Sequence, residues 1–182
     1  MNSGQFDQAE DLFHQMLKTH ENHSDALHFM GLISHRKGKS QDAIAFISKA
    51  IENNPRIAVY YYNLGYIFTA LGQLEKAIKA YKNSISLKPN YTEAINNLGL
   101  ILYDQDKIEE SIILFQQAIR SNCDYTNAYY NLGKACQAQG NPQAAIAAYD
   151  GVLKIFPDSP ETRFNRSLSL LLTENFAEGW AE

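Results

Sequence analysis

Four glycines, Gly31, Gly65, Gly99 and Gly133, recur at intervals of 34 residues in this 182-residue chain. A period of that length, set in an apolar pattern, marks an array of helical hairpins, because a unit of that size buries its apolar face only by stacking on neighbours. The repeat constrains the architecture and points function away from a buried active site toward an extended surface.

Other positions recur in the same frame. Met30, Leu64, Leu98 and Leu132 precede the glycines, Leu27, Tyr61, Ile95 and Tyr129 stand three residues before those, and Ile33, Phe68, Ile101 and Cys136 follow each glycine closely. This spacing draws one apolar stripe along a helix, with Tyr61 expected in the core. Ala43, Ala77, Ser111 and Ala145, each followed by isoleucine, then Ile47, Tyr81, Phe115 and Tyr149, draw a second helix. Small residues let the two helix backbones approach, and the large ones fill the space that remains. Gly38, Gly72 and Gly140 fall between the paired helices, with Asp106 in the third place. Pro55, Pro89 and Pro157 follow second helices, as proline does just past a helix end. Ser40 reads as an N-cap, and Asn141–Pro142 and Ser159–Pro160 as N-cap followed by first helical residue.

The segments AVYYYNLGYIFTALGQLEKAIKAYKNSISLKPN and NAYYNLGKACQAQGNPQAAIAAYDGVLKIFPD resemble tetratricopeptide repeats (TPR), with the Tyr/Leu-Gly core of the first helix and the Ala, Tyr and Pro marks of the second. The resemblance covers nearly the whole chain. It implies an all-α, right-handed solenoid of antiparallel helix pairs forming a single array over 1–182. Full units fall at 24–57, 58–91, 92–125 and 126–159, flanked by partial units 1–23 and 160–182. Departures are Asp106 for the corner glycine, Cys123 for the closing proline, and Arg166–Ser167 for Leu-Gly. Gly4 to Glu10 fits the corner and start of a second helix, with Ala9 one period before Ala43, and Asn175 to Trp180 the start of another. Solenoids end in polar-faced caps, so this pattern suggests a fragment of a longer protein. The closing NFAEGWAE also resembles the last repeat of bacterial TPR regions that continue into another domain, sometimes a glycosyl- or sulfotransferase.

In such arrays the first helices line a concave groove, and one column there repeats a single residue type: Asn63, Asn97, Asn131 and Asn165, again 34 residues apart. Asparagine is a mediocre helix former, while its carboxamide offers acceptor and donors together, matching the C=O and N–H of an extended backbone. With first helices about 10 Å apart and a strand rising about 3.3 Å per residue, a peptide meets one asparagine every third residue. The column resembles the asparagine ladder of O-linked N-acetylglucosamine transferase TPR regions. That resemblance implies main-chain recognition, with selectivity from the flanking Tyr62, Tyr66, Asn96, Tyr130 and Lys134. Asparagine here also has a second use, bonding the next helix or water, and both readings stand at this point. At about 0.5–1.5 kcal/mol net per hydrogen bond, four amides support micromolar rather than tight binding.

Other chemistry is thin. Formal net charge is −4 with 20% charged residues, giving no basic field for nucleic acid or anionic membrane. No apolar run reaches membrane-spanning length and the first residues are polar, so a cytoplasmic location is expected. The cysteines, Cys123 and Cys136, fall in different structural roles and suggest no disulfide framework. His20, Glu21, His23 and His28 lack zinc-type spacing and read as surface groups; His28 and His35, two turns apart, would make the groove's first section pH-sensitive. Only Lys134 and Arg36 are available for a two-carboxylate clamp of the chaperone-binding kind, which is rejected. No phosphate loop, nucleophile elbow or catalytic carboxylate pair is present, and neither metal nor cofactor is expected. The expectation is a non-enzymatic scaffold that holds an extended peptide or partner segment. Two other readings stand beside it, the substrate-presenting region of a longer glycosyl- or sulfotransferase, and self-association through uncapped ends.

Overall fold

The computed structural model describes residues 3–174 and 176–181, without the side chains of residues 3–7, 9 and 178. Among the described residues all regular structure is helical. The order is α1 (Ser3–Thr19), α2 (Ser24–Arg36), α3 (Ser40–Asn53), α4 (Ala58–Ala70), α5 (Leu74–Leu87), α6 (Thr92–Asp104), α7 (Ile108–Ser121), α8 (Thr126–Ala138), α9 (Pro142–Ile155), α10 (Pro160–Leu172) and α11 (Phe176–Gly179). The chain divides into two compact units, Met1–Pro89 and Asn90–Glu182.

Each hairpin closes on its repeat glycine. A Cβ on Gly31 would lie 2.5 Å from Ile47, one on Gly65 2.8 Å from Tyr81, one on Gly99 2.8 Å from Phe115 and one on Gly133 2.4 Å from Tyr149. Each of those partners is fully buried, so the period in sequence is a period of close helix approach.

The corners share one motif. Lys39, Gln73, Lys107 and Asn141 each donate their N–H at 2.9 Å to the carbonyl five residues earlier, while Gly38, Gly72, Asp106 and Gly140 donate to the carbonyl three residues earlier. This is the Schellman arrangement, which needs a left-handed residue at its end. Asp106 takes that conformation with φ 61°, beside 68° to 77° for the three glycines. At the other departure, the Asp124 N–H donates to Asn122 Oδ1 at 3.0 Å, an Asx turn that closes the third hairpin where proline is missing. Arg166, in the place of the usual leucine, has a largely buried side chain whose Nε pairs with Asp150 Oδ1 at 2.6 Å.

Three local expectations are corrected. Ser40 is the first helical residue rather than the cap; Lys39 holds the cap position without a side-chain bond. In the tyrosine triplet the buried member is Tyr60, 1% exposed, while Tyr61 is half-buried. Tyr60 occupies a column otherwise filled by the small residues Ala26, Ala94, Ala128 and Thr162, and its hydroxyl finds a partner in Asp25. Gly4, expected at a corner, lies inside α1, which is tied to the first corner by an ion pair between Glu10 and Lys37. Ala9 and Asn175 fall outside the described side chains and residues, respectively.

Candidate functional site

In each unit the first helices of neighbouring hairpins touch, α2 with α4 and α6 with α8, and no comparable contact joins α3 to α5 or α7 to α9. The first-helix side is therefore the inner side of each stack. There the asparagines are half-buried, and each has a definite geometry.

In the first unit, Asn63 Nδ2 donates to His28 Nε2 at 2.8 Å. An amide nitrogen can only donate, so His28 accepts as a neutral ring carrying its proton on Nδ1. Burial lowers the His28 pKa, partly opposed by the charge of Asp25. The ring is 4% exposed and lies 4.7 Å from the Tyr60 ring. Tyr60 donates its hydroxyl to Asp25; burial, then that bond, raises its pKa to about 12. Tyr66 is 51% exposed and meets His35 edge-on at 5.9 Å. Tyr62 is half-buried, its ring 6.0 Å from that of Tyr81.

In the second unit, Asn131 Nδ2 donates to Asn96 Oδ1 at 3.0 Å, and Asn96 Nδ2 donates to Asn97 Oδ1 at 3.4 Å. Asn165 Nδ2 donates to the Tyr130 hydroxyl at 3.1 Å and to the Glu161 carbonyl at 3.0 Å. Tyr130 in turn donates to Glu161 Oε1 at 2.5 Å, and burial followed by this bond raises its pKa to about 12. Deeper in, Gln137 accepts from Tyr149 at 2.7 Å and donates to the Asn165 carbonyl at 3.1 Å and Ser169 Oγ at 2.9 Å. Lys134 lies with Nζ 5.3 Å from the centre of the Tyr103 ring, within cation–π range.

One rule joins these contacts. Asn63, Asn131 and Asn165 each bond the residue 35 positions earlier, namely His28, Asn96 and Tyr130. The column containing His28 and Asn96 faces the following first helix, which explains why both are buried rather than open to a ligand as expected. Asn96, 2% exposed, supports its neighbours instead of presenting its own amide. Asn63 and Asn131 each keep one N–H and the Oδ1 for a further partner, whereas both N–H groups of Asn165 are taken. By helical phase Asp25, Gln137 and Glu161 lie on the same first-helix face. Sequence reasoning missed Ser169 and the pairings themselves, of which Asp25–Tyr60 shares the 35-residue offset while Tyr130–Glu161 and Gln137–Ser169 span 31 and 32 residues.

The histidines near the first hairpin have structural roles. His23 accepts from the Ala26 N–H at 3.3 Å as an N-cap, and His20 contacts Thr19 Oγ1 at 3.0 Å. Among the described residues no cluster of His, Cys, Asp and Glu could hold a metal ion, and no helix is long and apolar enough to cross a membrane.

A tetratricopeptide repeat model matches residues 1–56 and 96–160, a second one residues 46–79, and a TPR repeat model residues 65–106. No curated protein matches the chain. Among solved structures, the crystal structure of MamA is 25% identical, covering 84% of this chain and 89% of that one with a TM-score of 0.76. YrrB, a TPR protein with an unusual peptide-binding site, is 17% identical over 92% of this chain and 86% of its own, with a TM-score of 0.78. PilF of Pseudomonas aeruginosa is 20% identical over 97% and 74%, with a TM-score of 0.74.

Proposed function

Given that this chain belongs to the tetratricopeptide repeat family, we propose that it is an interaction scaffold whose inner face holds an extended peptide by its main chain. The observation that carries this reading is the asparagine column, half-buried on first helices, with Asn63 and Asn131 each anchored by one N–H and left with one donor and one acceptor. The inter-helix bond orients the amide before a ligand arrives, which lowers the ordering cost of binding. A free N–H beside a free C=O is what one peptide unit of an extended chain requires. Asn97 contributes its remaining donors, Asn165 an acceptor, and Asn96 holds Asn131 in register. Tyr62, Tyr66 and Tyr130 supply apolar surface with polar tips, and Lys134 attracts acidic or carbonyl groups. YrrB is a precedent for peptide binding on this fold, though at 17% identity it bears on the fold alone.

The test uses peptides selected from a displayed library against the full chain. N-methylation of the peptide backbone at every third residue is expected to abolish binding, while side-chain changes at those positions alter it less than about threefold. Asn97→Ala with Asn131→Ala is expected to weaken binding while helical circular dichroism persists. Binding indifferent to N-methylation overturns the reading.

A second reading, self-association, is favoured by one observation. Phe164, Leu168 and Leu172 form a row on α10 that is 62%, 41% and 72% exposed. Light scattering over a concentration series tests it: mass that rises with concentration and falls back on Leu168→Glu with Leu172→Glu supports it, and a constant monomer mass removes it.

A further inference from the structure

The first unit has a second concavity on the opposite side of α4 from Asn63. Residues 61, 64 and 68 point one way around that helix and residues 62, 63 and 66 the other, at 100° per residue. Tyr61, Leu64 and Phe68 floor a pocket of about 340 Å³ between α3 and α5. Its α5 wall carries Lys76 and Lys79, and Glu52 stands on the α3 wall. The second unit has a pocket at the equivalent place, 68 residues on, of about 390 Å³. There Ala144 and Ala147 replace the lysines, Cys136 replaces Phe68, and Arg120 replaces Glu52. The cavity therefore comes with the stacking geometry, while the lysine wall is particular to the first unit.

That wall is not neutralised from within. Lys76 Nζ donates to Gln73 Oε1 at 2.9 Å and lies 5.5 Å from the Phe68 ring centre, with no carboxylate at either contact. Lys79 has no hydrogen bond or ion pair among the described residues, and both lysines are exposed. Helix α5 carries Lys76, Lys79 and Lys82 against a single acid, Glu75, in a chain whose formal net charge is −4. A positive wall beside an aromatic and aliphatic floor complements one kind of ligand, a large apolar side chain flanked by carboxylates. Glu52 opposite sets the direction, because the ligand's acidic groups must fall on the α5 side. The floor is recessed and has room for one aromatic side chain, which suits a peptide rather than a flat membrane surface.

We propose that this pocket is a docking site for a short acidic peptide segment, which buries one aromatic side chain against Tyr61, Leu64 and Phe68 and sets its carboxylates on Lys76 and Lys79. The site is separate from the inner face, so two partner segments can occupy the first unit at once.

The probe is a fluorescein-labelled heptapeptide, Asp-Glu-Asp-Phe-Asp-Glu-Asp, titrated into the full chain and followed by anisotropy. Expected are saturable binding that weakens as salt rises, a loss of about tenfold or more on Lys76→Glu with Lys79→Glu, and a similar loss when the peptide's phenylalanine becomes alanine. The neutral pair Lys76→Gln with Lys79→Gln is expected to weaken binding about threefold. Asn97→Ala with Asn131→Ala should leave it within twofold, which separates this site from the inner-face reading. The proposal is overturned by absence of saturation, by binding undiminished in both lysine variants, by loss in the asparagine variant, or by a stronger response to phosphatidylserine vesicles than to the peptide.

Discussion

Asn131 reaches back 35 residues to place its Nδ2 3.0 Å from Oδ1 of Asn96, a side chain only 2% exposed. The bond makes part of the asparagine column a packing device, whatever else the column does. Removing the donor leaves a buried carbonyl oxygen without its partner, which costs about 1–3 kcal/mol. Asn131→Ala is therefore expected to lower the urea unfolding midpoint, and Asn97→Ala, which leaves that bond intact, to lower it less. Equal losses would show that the Asn131–Asn96 bond carries no particular weight.

His28 predicts a pH dependence with a definite sign. Its folded pKa is lowered by burial, so the unfolded chain binds the proton more readily. The stability this group contributes is present above its unfolded value of about 6.5 and is lost as pH falls through the lower folded value. Protonation would also turn the ring's accepting nitrogen against the Asn63 N–H. His28→Asn places there the residue that stands at the equivalent position 96 and keeps an acceptor for Asn63. The variant is expected to flatten the fall in stability between about pH 7 and pH 5, measured by denaturant unfolding. A slope unchanged by the substitution contradicts this account.

Asp106 holds a left-handed conformation at φ 61° where three of the other corners have Gly38, Gly72 and Gly140 and the α10–α11 corner has Glu174 at φ 63°. Non-glycine residues pay about 1–2 kcal/mol in that region, with aspartate at the lower end. Asp106→Gly is expected to raise stability by about 0.5–1 kcal/mol after the entropy of the freer unfolded chain is set against it. A decrease on urea titration would show that the aspartate side chain stabilises the corner.

Gly133→Ala tests the close approach. The new methyl would sit 2.4 Å from Tyr149, whose hydroxyl is held by Gln137 at 2.7 Å and whose ring is fully buried. Overpacking of this kind costs about 1–3 kcal/mol, more than the gain of about 1 kcal/mol in helix propensity. Thermal unfolding should shift down, and an upward shift would mean that the ring yields freely.

The helices and their corners were legible because glycine spacing and apolar stripes report directly on which backbones touch. The face of a side chain was legible too, but its cover was not. His28 and Asn96 were placed on the inner side by helical phase alone, yet the next first helix lies over that column. Tyr61 was expected in the core because periodicity marks where large residues recur, whereas the tyrosine that is buried is Tyr60, which enters a column of small residues and gives its hydroxyl to Asp25. Arg166 departs from the repeat and is accommodated by Asp150 on α9, a pairing that only spatial proximity reveals.

The most direct test of the inner-face account follows the side-chain NH2 resonances of Asn63, Asn97, Asn131 and Asn165 by heteronuclear NMR while a selected peptide is added. Saturable shifts in the Asn63, Asn97 and Asn131 amides, smaller ones at Asn165 and none at the Lys79 backbone are the predicted result. A bound peptide that leaves all four amides unmoved contradicts it.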